Sequence, residues 1–97
     1  MSVLVIIKRV FRMHQTDKIV PLLKELRVKS EKQPGFLSRT TYSKMSDPGE
    51  FIVINEWETA DDWMNWMNQK EARDLQWQID SLIGEKTIFE VYRPEEF

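Results

Sequence analysis

A single histidine is the residue of this sequence best suited to moving a proton. His14 is the one histidine in 97 residues, and a histidine side chain can act as a general base near neutral pH. It could therefore serve as the base that removes a proton from a substrate. A lone histidine in a loop is also often a solvated surface residue, so both interpretations stay open at this point.

The tryptophans offer a second kind of chemistry, which is the binding of a flat ligand. All four lie between Trp57 and Trp77. Stacking on aromatic faces contributes ~0.5–1.5 kcal/mol beyond the burial of area, and we predict that Trp57, Trp63 and Trp66 form a wall for an aromatic ring. The alternative is ordinary packing between a helix and a sheet. Trp77 is expected to face solvent or a partner chain.

Three polar residues on predicted strands could hold the oxygen atoms of such a ligand. Asn55 is polar inside an apolar strand, and because buried polar groups need partners, it is predicted either to orient a ligand in catalysis or to bond a neighbouring side chain. Arg39 and Tyr42 lie on a more polar strand. They are predicted to bind a phenolate or a carboxylate, or else to lie at the rim of a dimer.

Composition excludes several classes of function. The chain has no cysteine and one histidine, which excludes thiolate chemistry and a histidine-rich metal site. We therefore expect no metal and no cofactor. A net charge of −2 argues against nucleic-acid binding. The apolar run at residues 3–7 ends at Lys8 and Arg9 and is too short for a membrane span or a signal-peptide core, so a soluble, cytoplasmic protein with no membrane partner is expected.

The elements that must position these residues follow from periodicity. Four strands are predicted, at residues 3–11, 36–42, 50–58 and 87–92. A helix with a stripe at Ile19, Leu22, Leu23 and Leu26 follows the first strand, with Thr16 as its N-cap. A second helical region runs from a cap at Thr59 to Gly84 with a break near residues 68–70, and residues 44–49 are predicted to form a hairpin loop.

The order β-α-β-β-α-β predicts a single α+β domain over residues 1–97 with the ferredoxin-like arrangement. In it, both helical regions cover one face of an antiparallel sheet. The runs at residues 3–7 and 51–54 are apolar at every position, whereas a sheet wetted on one side would alternate. A second copy of the chain is therefore expected to cover the other face, which makes the protein a homodimer.

Four motifs in this order resemble the antibiotic biosynthesis monooxygenase-like family of dimeric α/β barrels. The first helix ends in Gln-Pro-Gly-Phe at residues 33–36, and the third strand ends in Glu-Trp-Glu-Thr at residues 56–59. The second helical region opens with Ala-Asp-Asp-Trp at residues 60–63 and carries Trp66, and a further helix from about Lys70 precedes the last strand. The resemblance covers nearly the whole chain and implies the fold more specifically than the reaction.

The family includes cofactor-free monooxygenases of polycyclic phenols, quinol oxidases, haem-degrading oxygenases and a signalling-molecule isomerase. Trp66 resembles a pocket tryptophan of the haem-degrading branch. The histidine ligand of that branch would fall near Gln76 and its first-strand asparagine near Ile7, and neither matches. Haem degradation is therefore the less favoured activity.

These observations give two hypotheses. The first is a cofactor-independent monooxygenase-like enzyme acting on a small aromatic or quinol-type molecule, with His14 as base and Asn55 or Arg39 as the partner of the oxyanion. The second is a non-catalytic, small-molecule-binding or stress-related dimeric domain on the same scaffold, since a fold does not fix a function.

Overall fold

Four strands and three α-helices make up the domain in the computed structural model, which describes residues 2–97. The elements are β1 (Val3–Val10), α1 (Thr16–Glu31), β2 (Phe36–Lys44), β3 (Asp47–Trp57), α2 (Ala60–Met67), α3 (Lys70–Ile83) and β4 (Ile88–Tyr92), with a 3₁₀ turn at Met13–Gln15 before α1. The strands form one antiparallel sheet in the order β2-β3-β1-β4. The α+β, ferredoxin-like fold predicted from the sequence is confirmed.

The register of the sheet decides which side chains face the helices. Val5 pairs with Asn55 and Ile7 with Val53, and all four residues are buried on the helix side. Because side chains alternate between the two faces of a strand, Arg9 and Arg39 also point to this side. The helix-facing half of β1 is thus apolar at one end and carries a guanidinium at the other.

The core lies between this face and the helices, in two adjoining clusters. The first centres on Val5, Ile7, Val53, Trp57 and Trp66, and the second on Phe11, Ile19 and Ile79. Trp57 has no exposed surface and meets Phe36 edge to face, with ring centroids 5.4 Å apart. Packing of this kind fixes α2 and α3 on the sheet.

The opposite face of the sheet is also apolar along the predicted runs of β1 and β3. Alternation places Leu4 and Ile6 of β1 there, where they are partners of Glu56 and Ile54 on β3. In the single chain Leu4 is 41% exposed and Ile88 of β4 is 53% exposed. Within residues 2–97, no helix covers this face. No helix in this part of the chain is long and apolar enough to cross a membrane.

Most of the predicted helix ends and breaks are confirmed. The hydroxyl of Thr59 accepts a hydrogen bond from the backbone N–H of Asp62 at 3.1 Å. Gly84 ends α3 with a φ of 83°, a conformation that glycine adopts at little cost. The break in the second helical region is confirmed at Asn68 and Gln69, between α2 and α3.

Two local predictions are wrong. Thr16 is not the N-cap of α1, because the preceding 3₁₀ turn leads directly into the helix and Gln15 takes the cap position. The loop at residues 44–49 is a turn of Met45 and Ser46 only. Pro48 belongs to β3, where the register with β2 is irregular, so its missing N–H removes no regular ladder bond.

Candidate functional site

Two adjoining cavities lie between the helices and the sheet, the larger under α1 and the smaller under all three helices. The larger has a volume of about 270 Å³ and the smaller about 30 Å³. We call the larger one the arginine cavity. Its apolar wall comes from α1 and from the neighbouring parts of β1 and β3, namely Phe11, Val20, Leu23, Phe51 and Val53. Phe11 and Phe51 stack there with ring centroids 4.7 Å apart.

Three arginines line both cavities. Arg9 comes from β1, Arg27 from α1 and Arg39 from β2. Arg27 forms a salt bridge with Glu31 at 3.0 Å. Within residues 2–97 no salt bridge involves Arg9 or Arg39. The site therefore holds more positive charge than its own carboxylates neutralise.

Arg9 is the most buried of the three, with 5% of its surface exposed. Its Nη2 donates a hydrogen bond to Oε1 of Gln76 at 2.9 Å, whereas its buried Nε has no partner among the described residues. Burial lowers the pKa of Arg9 to about 10, the charge of Asp80 opposes that effect, and the nearby Arg39 adds to it. Arg9 is consequently a cation at neutral pH that the protein stabilises poorly.

A chain of hydrogen bonds behind Gln76 fixes the orientation of its amide. Nε2 of Gln76 donates to the carboxylate of Asp80 at 2.8 Å and to the hydroxyl of Thr87 at 2.6 Å. The same Asp80 oxygen accepts from the backbone N–H and from the hydroxyl of Thr87. With Nε2 committed to these acceptors, Oε1 of Gln76 must face Arg9.

Arg39 is half-buried on the edge strand β2. Burial lowers its pKa, the positive charge of Arg27 lowers it further, and Glu31 opposes both. Its Nε is buried and without a partner among the described residues. Arg39 pairs across the sheet with Asn55, whose Oδ1 is likewise buried without a partner. The two side chains thus present an unused donor and an unused acceptor beside the smaller cavity.

The structure brings some of the predicted site residues together. Asn55, Arg39, Trp63 and Trp66 all line the smaller cavity. Trp66 is 3% exposed and also belongs to the core. These four residues therefore stay candidates for ligand contact.

The other three predicted site residues lie outside both cavities. His14 is exposed in the 3₁₀ turn and lines neither cavity, so its placement gives no support to a role as base. Tyr42 is 51% exposed on the face of the sheet opposite to Arg39, because the two residues are an odd number of positions apart on β2. Trp57 packs inside the core without reaching either cavity.

Sequence reasoning missed Arg9 and Arg27. Arg9 was interpreted only as the end of an apolar run. The alternation Val5, Ile7, Arg9 carried a signal for its inward orientation, because residues two apart on a strand share a face. Gln76, noted only as the position of a haem ligand in related proteins, proves to be the partner of Arg9.

No group of three or more His, Cys, Asp or Glu residues in the described part of the chain could hold a metal ion.

Comparison with solved structures places the fold among known ones. The chain matches a conserved protein from Methanosarcina mazei Go1 with a TM-score of 0.87 and 15% identity, over 97% of this chain and 93% of that one. It matches an antibiotic biosynthesis monooxygenase with a TM-score of 0.83 and 20% identity, over 97% and 99% of the two chains. At this identity the likeness shows the fold alone.

A third structure is a mutant of SnoaB, a cofactor-independent oxygenase from Streptomyces nogalater. It has a TM-score of 0.83 and 11% identity, over 99% of this chain and 95% of that one. No curated protein sequence matches this chain. The family model described as antibiotic biosynthesis monooxygenase matches residues 2–77, which is most of the chain, and the chain therefore belongs to the antibiotic biosynthesis monooxygenase family.

Proposed function

We propose that this protein is a cofactor-independent monooxygenase that acts on a small hydroxyaromatic or quinol-type molecule in the arginine cavity. The observation that carries the proposal is an apolar cavity of about 270 Å³ lined by Arg9 and Arg39, two cations that no carboxylate of the described chain pairs. The volume is just below the ~300–1,000 Å³ of drug-sized pockets, which suits a compact aromatic ligand.

The arginines supply the electrostatic part of the reaction. An opposite charge within ~4–6 Å favours the ionised form of a hydroxyl group and lowers its pKa by about 1–3. The deprotonated ring is electron-rich and reduces O₂ directly: one oxygen atom forms a new bond to a ring carbon, which ends as a carbonyl, and the other leaves as water with the two hydrogens that the substrate loses. The protein has to stabilise the anion, orient the ring and exclude bulk water. Arg39, which lines both cavities, holds the oxyanion in this scheme, and Oδ1 of Asn55 accepts a hydrogen bond from a second hydroxyl that reaches into the smaller cavity.

The proton of the hydroxyl leaves to water. None of the described residues that line the two cavities is an aspartate, a glutamate or a histidine. The lining residues Lys24, Arg27 and Thr41 are exposed and mark the side on which the arginine cavity meets solvent. A substrate that ionises under the influence of the arginines needs no further base.

Oxygen uptake in the presence of a model quinol or anthrone tests the proposal. We expect uptake by the unmodified protein and a rate on the order of 100-fold lower for Arg39→Met, because one donor to a developing oxyanion is removed. Arg73→Met is the matched control, since Arg73 is an exposed arginine of α3 outside both cavities. The His14→Ala variant should keep the activity of the unmodified protein. Loss of oxygen uptake in this variant would instead identify His14 as the base.

The lack of aspartate, glutamate and histidine among the described residues of the cavity lining also favours the second hypothesis, a non-catalytic domain that binds a small molecule. The same experiment separates the two. If the protein binds the quinol saturably but takes up no oxygen under any tested condition, the enzyme hypothesis is wrong and the binding-domain hypothesis stands.

We also propose that the chain forms a homodimer through the open face of the sheet. Leu4, Ile6, Ile52 and Ile54 lie on that face in the register given above, and leaving them in water forfeits ~25 cal/mol for each Å² of apolar surface. Covering the face should bury more than ~2,000 Å² in total. Sedimentation equilibrium at micromolar concentration should give twice the chain mass of 11.7 kDa, and a stable monomer there would contradict the dimer.

A further inference from the structure

One of the two cations contacts no ligand atom in the oxyanion site just proposed. That site uses Arg39 and Asn55, which are neighbours across β2 and β3. Arg9 lines the same cavity, is more buried than Arg39, and keeps its Nε without a partner in the described chain. A buried cation without a carboxylate partner destabilises the fold. An anionic ligand that binds beside the cation would offset this energetic cost.

The register places the backbone of Arg9 two rows away from the backbone of Arg39. Arg39, Asn55 and Val5 form one row across the sheet, whereas Arg9 lies in the row of Phe51. The row that contains Val53 separates them. Each step between rows covers two residues, or about 6.6 Å, so the two arginine backbones lie about 13 Å apart along the strands while both side chains line the same two cavities.

The free edge of Arg9 is suited to a planar anion. A guanidinium offers its N–H groups in a rigid fork that matches the two oxygens of a carboxylate. Nη2 is engaged by Gln76, which the chain through Asp80 and Thr87 holds in place. The Nε–H is buried without an acceptor in the described chain, and Arg9 lines the arginine cavity, so a ligand carboxylate there would supply the acceptor that the protein lacks.

We propose that the arginine cavity binds a hydroxyaryl carboxylate. Its carboxylate lies on Arg9, its ring lies over Phe51 and Val53, and its hydroxyl group lies on Arg39, all of which line the arginine cavity. The assignment of the hydroxyl end rests on the proposed function, whereas the assignment of the carboxylate end rests on Arg9 alone. A carboxylate is favoured over a phosphate because Arg9 offers one fork in a mostly apolar cavity.

Calorimetric titration with unreactive probes that share one ring system tests the carboxylate end. We expect naphthoate to bind roughly 10-fold or more tightly than the uncharged naphthamide at neutral pH. Arg9→Met should lose this preference and Arg9→Lys should keep part of it, because lysine retains the charge without the fork. Arg73→Met should keep the full preference. Circular dichroism of each variant establishes that it is folded.

The outcomes separate this inference from the proposed function. Equal affinities for naphthoate and naphthamide, a preference that survives in folded Arg9→Met, or tighter binding of naphthyl phosphate than of naphthoate would each overturn it. Preference for the acid without oxygen uptake in the presence of a hydroxynaphthoate would support it and overturn the proposed oxygenase. Uptake with uncharged quinols and no preference for the acid would do the reverse.

Discussion

Trp66→Ala is expected to lower the free energy of unfolding by ~3–5 kcal/mol. Trp66 is 3% exposed and packs in one cluster with Val5, Ile7 and Val53. The cavity that it lines has a volume of only about 30 Å³, so nearly the whole indole ring is in contact with protein. Because an interior at crystal density relaxes only in part, most of the space left by the ring would remain as a void.

Urea denaturation followed by circular dichroism measures this loss. Trp77→Ala is the matched control, since Trp77 lies on α3 with 72% of its surface exposed and its removal should change the free energy of unfolding by less than ~0.5 kcal/mol. A loss of less than ~1 kcal/mol for Trp66→Ala would show that the ring borders open space. Unchanged naphthoate affinity in a folded Trp66→Ala variant would remove Trp66 from the ligand site.

The architecture could be predicted from the sequence because the signals that specify it are local and repeated. Alternation and helical spacing recur over whole elements, and the apolar runs of β1 and β3 leave one arrangement that buries them. The caps at Thr59 and Gly84 are also local, since each depends on a few neighbouring residues. Thr16 failed as a cap because the extra 3₁₀ turn before α1 left no distinct pattern.

The site was harder to predict, since it depends on how elements meet. Asn55 was found because it is polar at a strand position that packing would make apolar, and Arg39 because it lies on a more polar strand and could bind an anionic group. Arg9 obeys the same rule as Asn55, but it stands beside Lys8, and the pair resembles a charged strand end. His14 lies in the turn after β1, and the direction of that turn depends on where the strand ends. No pattern within the loop shows whether His14 faces the cavity or the solvent. Tyr42 could have been separated from Arg39 by counting positions along β2.

Gln76→Leu should have the second large effect, a loss of roughly 3 kcal/mol in the free energy of unfolding. Gln76 is the side-chain hydrogen-bond partner of Arg9 and links it to Asp80. Leucine fits the buried volume but leaves a cation in the core with no acceptor. Burial already lowers the pKa of Arg9 to about 10, which corresponds to an energetic cost of roughly 3 kcal/mol for keeping the charge inside, and the variant should lower this pKa further.

Removal of the charge should reverse much of that loss. In Arg9→Met the relief of burying a cation offsets the unpaired oxygen left on Gln76, so the single variant should be about as stable as the unmodified protein. Adding Arg9→Met to Gln76→Leu should therefore recover about 2 kcal/mol, a coupling within the range of contacting residues. Additive losses in urea denaturation of the two single variants and the double variant would contradict the network.

The pH dependence gives an independent check on the same pair. Arg9 has a lower pKa in the folded chain than in the unfolded chain. The energetic cost of its burial is therefore fully present below the folded pKa, and stability is regained as the pH rises through it, because the unfolded chain then binds more protons. In Gln76→Leu the proton should leave Arg9 at a lower pH. The stability difference between this variant and the unmodified protein should hence be constant near neutral pH and shrink as the pH approaches 10. A difference that stays constant up to that pH would show that the lost stability comes from packing around Gln76 and not from the charge of Arg9.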